Sequence, residues 1–144
     1  MKKSYPKPQK FIPRNPQKYV GDVNNIISRS GLETSYMRYF DMSSNIVQWA
    51  SEEIVINYIN PFDNKIHRYF PDFYIQTNNG DKFLVEIKPH SQCLEPKQTK
   101  GKRQKTLINE QITYQINQSK WKAATAMCLK NNMKFIVMTE KDLK

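Results

Sequence analysis

The chain has 144 residues, with 23 Lys plus Arg against 13 Asp plus Glu and a formal net charge of +10. At 38% hydrophobic and 25% charged residues it suits one folded domain, too short for two and too apolar for a disordered chain. No apolar run approaches the roughly 18 residues of a membrane-spanning helix, which excludes such a span. Residues 1–10 start basic with no apolar stretch behind, so no secretory signal is expected. Cys93 and Cys128 stand in unrelated contexts without metal-ligand spacing, which fits a reduced intracellular compartment with structural or incidental thiols.

The excess charge is concentrated. Residues 1–20 carry Lys2, Lys3, Lys7, Lys10, Arg14 and Lys18 and no acid, and residues 97–105 carry Lys97, Lys100, Lys102, Arg103 and Lys105, again without an acid. Those 11 leave 12 basic against 13 acidic residues elsewhere, so two basic tracts flank a neutral body. Such tracts neutralise phosphates and release counterions, which makes nucleic acid the first partner to consider. Solvated flexible segments, or a polybasic patch for another acidic surface, give the same composition.

In chain order, Pro6, Pro8, Pro13 and Pro16 make residues 1–20 an extended arm, since proline removes backbone donors and blocks helix. Ser30-Gly31-Leu32-Glu33 matches the capping box that opens a helix, and Leu32, Tyr36, Tyr39 and Phe40 follow at helical spacing, predicting a helix over 31–42. Alternation over 53–59 predicts a first strand, Asn60–Asn64 a turn, and the aromatic and β-branched run 66–76 a second strand. Asn79-Gly80 predicts a tight hairpin to a third strand over 82–88, stopped by Pro89. After the basic loop, Ile108, Ile112, Ile116, Trp121, Ala124, Met127 and Cys128 make the apolar stripe of a helix over 107–131. Residues 134–139 form a short fourth strand. Helix, three strands, helix and strand make an α/β chain with a mixed four-stranded sheet and helices packed on it, without repeat or second domain.

The chemistry concentrates where the second strand meets the third. Pro71-Asp72 lies in one, and Glu86-Ile87-Lys88 in the other. Strand side chains alternate, so Glu86 and Lys88 share a face, and the hairpin can bring Asp72 beside Glu86. Two carboxylates and an ammonium on one patch suit phosphodiester hydrolysis. The carboxylates leave positions on a Mg²⁺ ion for water and a phosphate, and the ammonium orients water or stabilises developing charge. The competing reading of Glu86 and Lys88 is an ordinary pair on a solvated sheet face. Glu33 has a purely structural job in the capping box. His67 and His90 read as surface or turn residues, lacking partners at zinc spacing, and Trp49 and Trp121 read as core. The 97–105 tract, at the edge of the presumed site and without interleaved aromatics, suits phosphate contacts rather than base readout.

The set Asp72…Glu86-Ile87-Lys88 after Pro71 resembles the signature of the PD-(D/E)xK, or restriction-endonuclease-like, superfamily. Within it the chain looks like the transposon TnsA-type endonuclease domain and, closer still, the head completion nucleases of T4-like tailed phages. The likeness runs over residues 11–19, 29–33, 48–61, 66–73, 83–89, 120–124 and 135–143. It implies a restriction-endonuclease-like core of helix-strand-strand-strand-helix-strand over residues 21–144, preceded by the basic arm 1–20. It implies a Mg²⁺-dependent deoxyribonuclease, with Mn²⁺ as a substitute, having little sequence specificity and acting on packaged DNA during phage head completion. Asp72 and Glu86 would ligate the metal with the backbone carbonyl of Ile87, Lys88 would position the water, and Glu33 would complete the acidic cluster through a second metal or water. Lys97, Lys100, Lys102, Arg103 and Lys105, with Arg68, His67, His90 and Gln92 at lower priority, are the candidate DNA contacts. The implied partners are DNA and phage head or portal proteins, with no membrane, in the host cytoplasm during assembly or on the virion. A TnsA-like transposition or junction-cutting endonuclease and a non-catalytic capsid or portal accessory protein that binds DNA stay open as alternatives.

Overall fold

The computed structural model describes residues 7–143, so Lys2, Lys3, Tyr5 and Pro6 of the basic arm lie outside the described residues. Two short strands, β1 (Gln9–Lys10) and β2 (Ile27–Ser28), pair antiparallel ahead of helix α1 (Gly31–Met42). There follow β3 (Ile46–Ser51), a hairpin of β4 (Ile56–Ile59) and β5 (Ile66–Tyr69), then β6 (Phe73–Thr77) and β7 (Lys82–Ile87). Helix α2 (Gln104–Lys130) and β8 (Lys134–Met138) complete the body. The central sheet has the order β3-β6-β7-β8, antiparallel through β7 and parallel between β7 and β8, because α2 carries the chain back across the sheet. This is the mixed four-stranded α/β sheet that the sequence predicts. Among the described residues no helix is long and apolar enough to cross a membrane.

Two cores face opposite sides of that sheet. Val85 and Ile87 join Tyr36, Met37 and Phe40 of α1 with Trp49, Phe73 and Ile75, while Leu84 joins Ala124 and Cys128 of α2 with Ile56, Tyr58 and Tyr69 of the hairpin. Alternation along β7 thus sends neighbouring residues to different helices. Trp49, fully buried, is the hub of the first core, with the rings of Phe11, Tyr19, Phe40 and Phe73 packed around it at centroid separations of 4.8–6.3 Å.

Three local expectations need correction. The first strand of the sheet is β3, not residues 53–59. A bulge between Ile46 and Gln48 interrupts the alternation of β3 and hides it from pattern reading. The alternation over 56–59 is real, with Ile56 and Tyr58 buried and Asn57 and Ile59 exposed, but β4 pairs only with β5. The predicted strand 66–76 is two strands in different sheets, split at Phe70–Asp72, where Pro71 offers no N–H to a ladder. On α1, Met37 takes the buried position expected of Tyr39, which is 45% exposed. The Asn79-Gly80 turn is as expected, with Gly80 at φ +91 and its N–H donated to the Thr77 carbonyl at 3.0 Å.

Residues 7–20 lie along the body. The buried Asp41 carboxylate near the end of α1 accepts the backbone N–H groups of Arg14 at 2.9 Å and Asn15 at 3.1 Å. The Lys18 ammonium donates to the carbonyls of Phe40, Asp41 and Ser43 at 2.7–2.9 Å, supplying donors and positive charge where a helix C-terminus has neither. Phe11 and Val20 add main-chain bonds to Ile26 and Trp49, each 2.8 Å. Asp41→Ala would strand two main-chain donors, and a loss of about 1–3 kcal/mol is expected. The urea midpoint of the variant, measured beside that of the unsubstituted chain, checks this; an unchanged midpoint would show that the clip contributes nothing.

Candidate active site

The register of β6 on β7 pairs Phe73 with Val85, so the next position along places Asp72 opposite Glu86. Asp72 is locked there: its Oδ2 accepts the Ile87 N–H at 2.7 Å, and its carbonyl accepts the Glu52 N–H at 3.1 Å. Glu86, alternating with Val85, lies on the α2 side of the sheet with Leu84 and is only 8% exposed. Its Oε2 accepts the hydroxyl of Tyr69, brought over by the β4-β5 hairpin. Lys88 leaves the same strand end half-buried, its N–H bonded to the Met138 carbonyl at 3.0 Å. The sequence-predicted trio of Asp72, Glu86 and Lys88 is therefore brought together at one end of the sheet.

Glu33 approaches from the first turn of α1. The Ser30 hydroxyl accepts the Glu33 N–H at 3.1 Å, and Glu33 Oε2 accepts the N–H of Arg29 at 3.1 Å, one residue before the Ser30 N–H that an ordinary capping box would engage. Its carboxylate thus has the structural role weighed from the sequence while standing close enough to feel the charges of Glu52 and Lys88. Glu52, at the end of β3 with φ +55, pairs with Arg29 at 2.9 Å and rims the same corner.

Burial and crowding of like charge set the electrostatics. Burial, then the neighbouring Glu86 charge, pushes the Asp72 carboxyl up to about 8, against which the Ile87 N–H and Lys88 act. Burial likewise raises Glu86, opposed by the Tyr69 hydroxyl, Lys88 and Lys120. Glu33 is raised by burial and by Glu52. A cation between carboxylates held in this way would relieve their mutual repulsion, as a proton does. The donor set, two carboxylates with no imidazole or thiolate beside them, fits a hard divalent ion such as Mg²⁺, which is commonly held by one or two carboxylates and completed by water and substrate oxygens. Among the described residues no group of three or more His, Cys, Asp or Glu side chains is placed to hold a metal ion by itself, so Glu33 does not join Asp72 and Glu86 as a third ligand in this arrangement.

The expected DNA contacts divide. Lys97, Lys100, Arg103 and Lys105 are exposed on the loop before α2 and on its first turn. Lys102 is spent internally, paired with Glu110 at 3.1 Å and donating to the Lys97 carbonyl at 2.7 Å. That loop and α2 enclose a groove of about 1020 Å³, lined by Leu94, Pro96, Thr113 and Tyr114 among others and by none of Glu33, Asp72, Glu86 and Lys88. His67 pairs with Asp63 at 2.7 Å in the hairpin, and Arg68 stacks over Phe70. The His90 N–H donates to Glu140, tying down the turn after Lys88, and Gln92 is exposed on that turn.

Two residues of the corner escape a reading by sequence. Tyr69 looks like any strand aromatic. Lys120 carries a signal, because it falls among Asn117, Ala124 and Cys128, the buried positions of α2, where a charge is out of pattern.

A core of this topology, with an acid at the start of one central strand and an acid and lysine at the end of the next, is the arrangement that the resemblance to restriction-endonuclease-like nucleases implies. The model for the TnsA-like endonuclease N-terminal domain matches residues 43–140, from the approach to β3 through β8, and the chain belongs to that family. The chain is also 34% identical over 138 residues to the head completion nuclease of Enterobacteria phage T4, covering 94% of this chain and 92% of that protein.

The raised carboxyls carry a pH signature. A carboxyl whose pKa rises on folding keeps its proton in the folded chain where the unfolded chain, at its ordinary 3.8, has released it. The associated stability is complete below about pH 4 and is lost as pH climbs to about 8. In EDTA the melting temperature should therefore fall from pH 5 to pH 8, and Asp72→Asn, which keeps an acceptor for the Ile87 N–H, should melt higher at pH 8 and flatten the slope. Parallel slopes in the two proteins would contradict this origin.

Proposed function

We propose that this chain is a divalent-cation-dependent DNA nuclease that hydrolyses phosphodiester bonds with little base specificity during phage head completion. The observation that carries the reading is the facing of Asp72 and Glu86 across β6 and β7, with Lys88 at the same strand end. The family match and the name of the phage T4 relative support it.

Asp72 and Glu86, with the Ile87 carbonyl, would hold Mg²⁺, or Mn²⁺ in its place. The bound ion supplies polarisation of the phosphate, acidification of water and neutralisation of charge on the departing oxygen. The chain's own residues do the rest. Asp72, fixed by the Ile87 N–H, and Glu86, fixed by Tyr69, are held in place before substrate arrives, so little reorganisation accompanies reaction. The Lys88 ammonium orients the attacking water and stabilises charge on the phosphate oxygens. Hydrolysis places the water oxygen on phosphorus and a proton on the leaving oxygen. Glu33 adds a third acid, acting through water or a second cation, while its Arg29 bond holds it at the rim.

Outside the catalytic corner, Lys97, Lys100, Arg103 and Lys105 would hold the DNA backbone, reading charge rather than sequence. Lys102 contributes little, being committed to Glu110. Packaged DNA is the proposed substrate, phage head or portal proteins the proposed partners, and the host cytoplasm during assembly, then the virion, the place of action.

Cleavage of supercoiled plasmid in Mg²⁺, Mn²⁺ or EDTA tests the reading. Cutting should need the cation and fall by about 10²–10³-fold or more in Asp72→Asn, Glu86→Gln and Lys88→Met, since each removes a group acting on the reacting phosphate. Undiminished cutting by the folded variants would sink the assignment of these residues.

A further inference from the structure

Lys120 is half-buried on α2, on the helix stripe that also buries Asn117, Ala124 and Cys128. Its ammonium lies 5.5 Å from the centroid of the Tyr69 ring and 5.8 Å from that of Tyr58. Tyr69 is the residue whose hydroxyl holds Glu86, so one ring carries both a cation over its face and the catalytic-corner carboxylate at its hydroxyl. Glu86, Lys88 and Asp72 all act electrostatically on Lys120. Yet among the described residues Lys120 makes no ion pair within 4 Å, and neither does Lys88; the three pairs present are Arg29–Glu52, His67–Asp63 and Lys102–Glu110.

Withdrawing an ammonium from water without a carboxylate partner is costly. Two aromatic faces offset part of that cost and fix the position of the head group. A lysine serving only to neutralise Glu86 would close on it, and a lysine serving only to cover apolar surface would extend its head into solvent. Lys120 instead holds its ammonium over two aromatic rings, out of ion-pair contact with the acidic pair, on the side of the sheet where Glu86 lies. A cation so placed suits a third charged group, an anion bound at the same corner.

We propose that Lys120 is a second phosphate-contacting lysine of this site, seated by the Tyr58 and Tyr69 rings to bind a DNA phosphodiester next to Glu86. The proposal rests on the nuclease reading for its substrate, and it adds to Lys88 a contact made from α2. Lys88 and Lys120 then approach the phosphate from a strand end and from a helix.

The test uses the full chain and a fluorescein-labelled 20-base-pair duplex, with binding followed by anisotropy in Ca²⁺ across a range of NaCl. Lys120→Met keeps the stem on the rings and removes the charge. It should weaken binding by about 3–10-fold at moderate salt and make the plot of log affinity against log salt shallower by about 0.9, the change for one lost phosphate contact on duplex DNA. Lys120→Arg should restore most of the affinity, and Lys122→Met, an exposed lysine two residues on, should leave the slope unchanged. With Mg²⁺, Lys120→Met should raise KM more than it lowers kcat. An unchanged salt slope in Lys120→Met overturns the proposal, as does an equal change in Lys122→Met, which would mean general charge alone. If the methionine variant does not fold, Lys120→Gln and Lys120→Arg decide on the same slope. Plasmid cutting by Asp72→Asn run alongside separates the two ideas: retained cutting defeats the nuclease site, whereas an unchanged salt slope with cutting abolished defeats only the role of Lys120.

Discussion

The antiparallel register of β6 on β7 sets Asp72 against Glu86, two acids that folding withdraws from water side by side. Much of the surrounding architecture manages that juxtaposition. The Ile87 N–H holds Asp72, the Tyr69 hydroxyl holds Glu86, and Lys88 and Lys120 bring positive charge to the same corner. Burial and like charge still leave the carboxyls reluctant to ionise, a mutual repulsion that a cation placed between them would relieve. A corner of this kind costs the folded chain stability at neutral pH.

The stability comes from elsewhere. The aromatic cluster around Trp49 fills the α1 side of the sheet, and the segment ahead of α1 supplies Phe11 and Tyr19 to it. The Asp41 and Lys18 contacts tie that segment to the end of α1, so the helix that carries Glu33 at its start is anchored at its finish. On the other face α2 clamps the β4-β5 hairpin against Leu84, which places Tyr69 within reach of Glu86. The hairpin lies outside the four-stranded sheet, yet it supplies the hydroxyl that orients one of the two acids.

The parts legible in the sequence share a common cause: the chemistry that produces them is local. Ser30 and Glu33 cap α1 through bonds to main chain within four residues, and Asn79-Gly80 makes its turn through the freedom of one glycine. Where the backbone interrupts a pattern, local periodicity no longer marks the element. The bulge after Ile46 breaks the period of β3, and Pro71 divides what looked like one strand into two that serve different sheets. The second core position of α1 went to Met37 because the helix faces Trp49 and Phe73, whose placement no property of α1 contains.

The order of Asp72, Glu86 and Lys88 along the chain, the tight turn between the first two, and the period-2 geometry of strands were enough, from sequence alone, to bring an acid pair and a lysine to one sheet end. The family resemblance carried in the ordered segments followed from the sequence as well. Only the tertiary structure decided what surrounds that pair: the Tyr69 hydroxyl on Glu86, and Lys120 over the rings of Tyr58 and Tyr69. Those contacts join elements far apart in the chain, and burial of two apolar faces, rather than any local propensity, determines which of them meet.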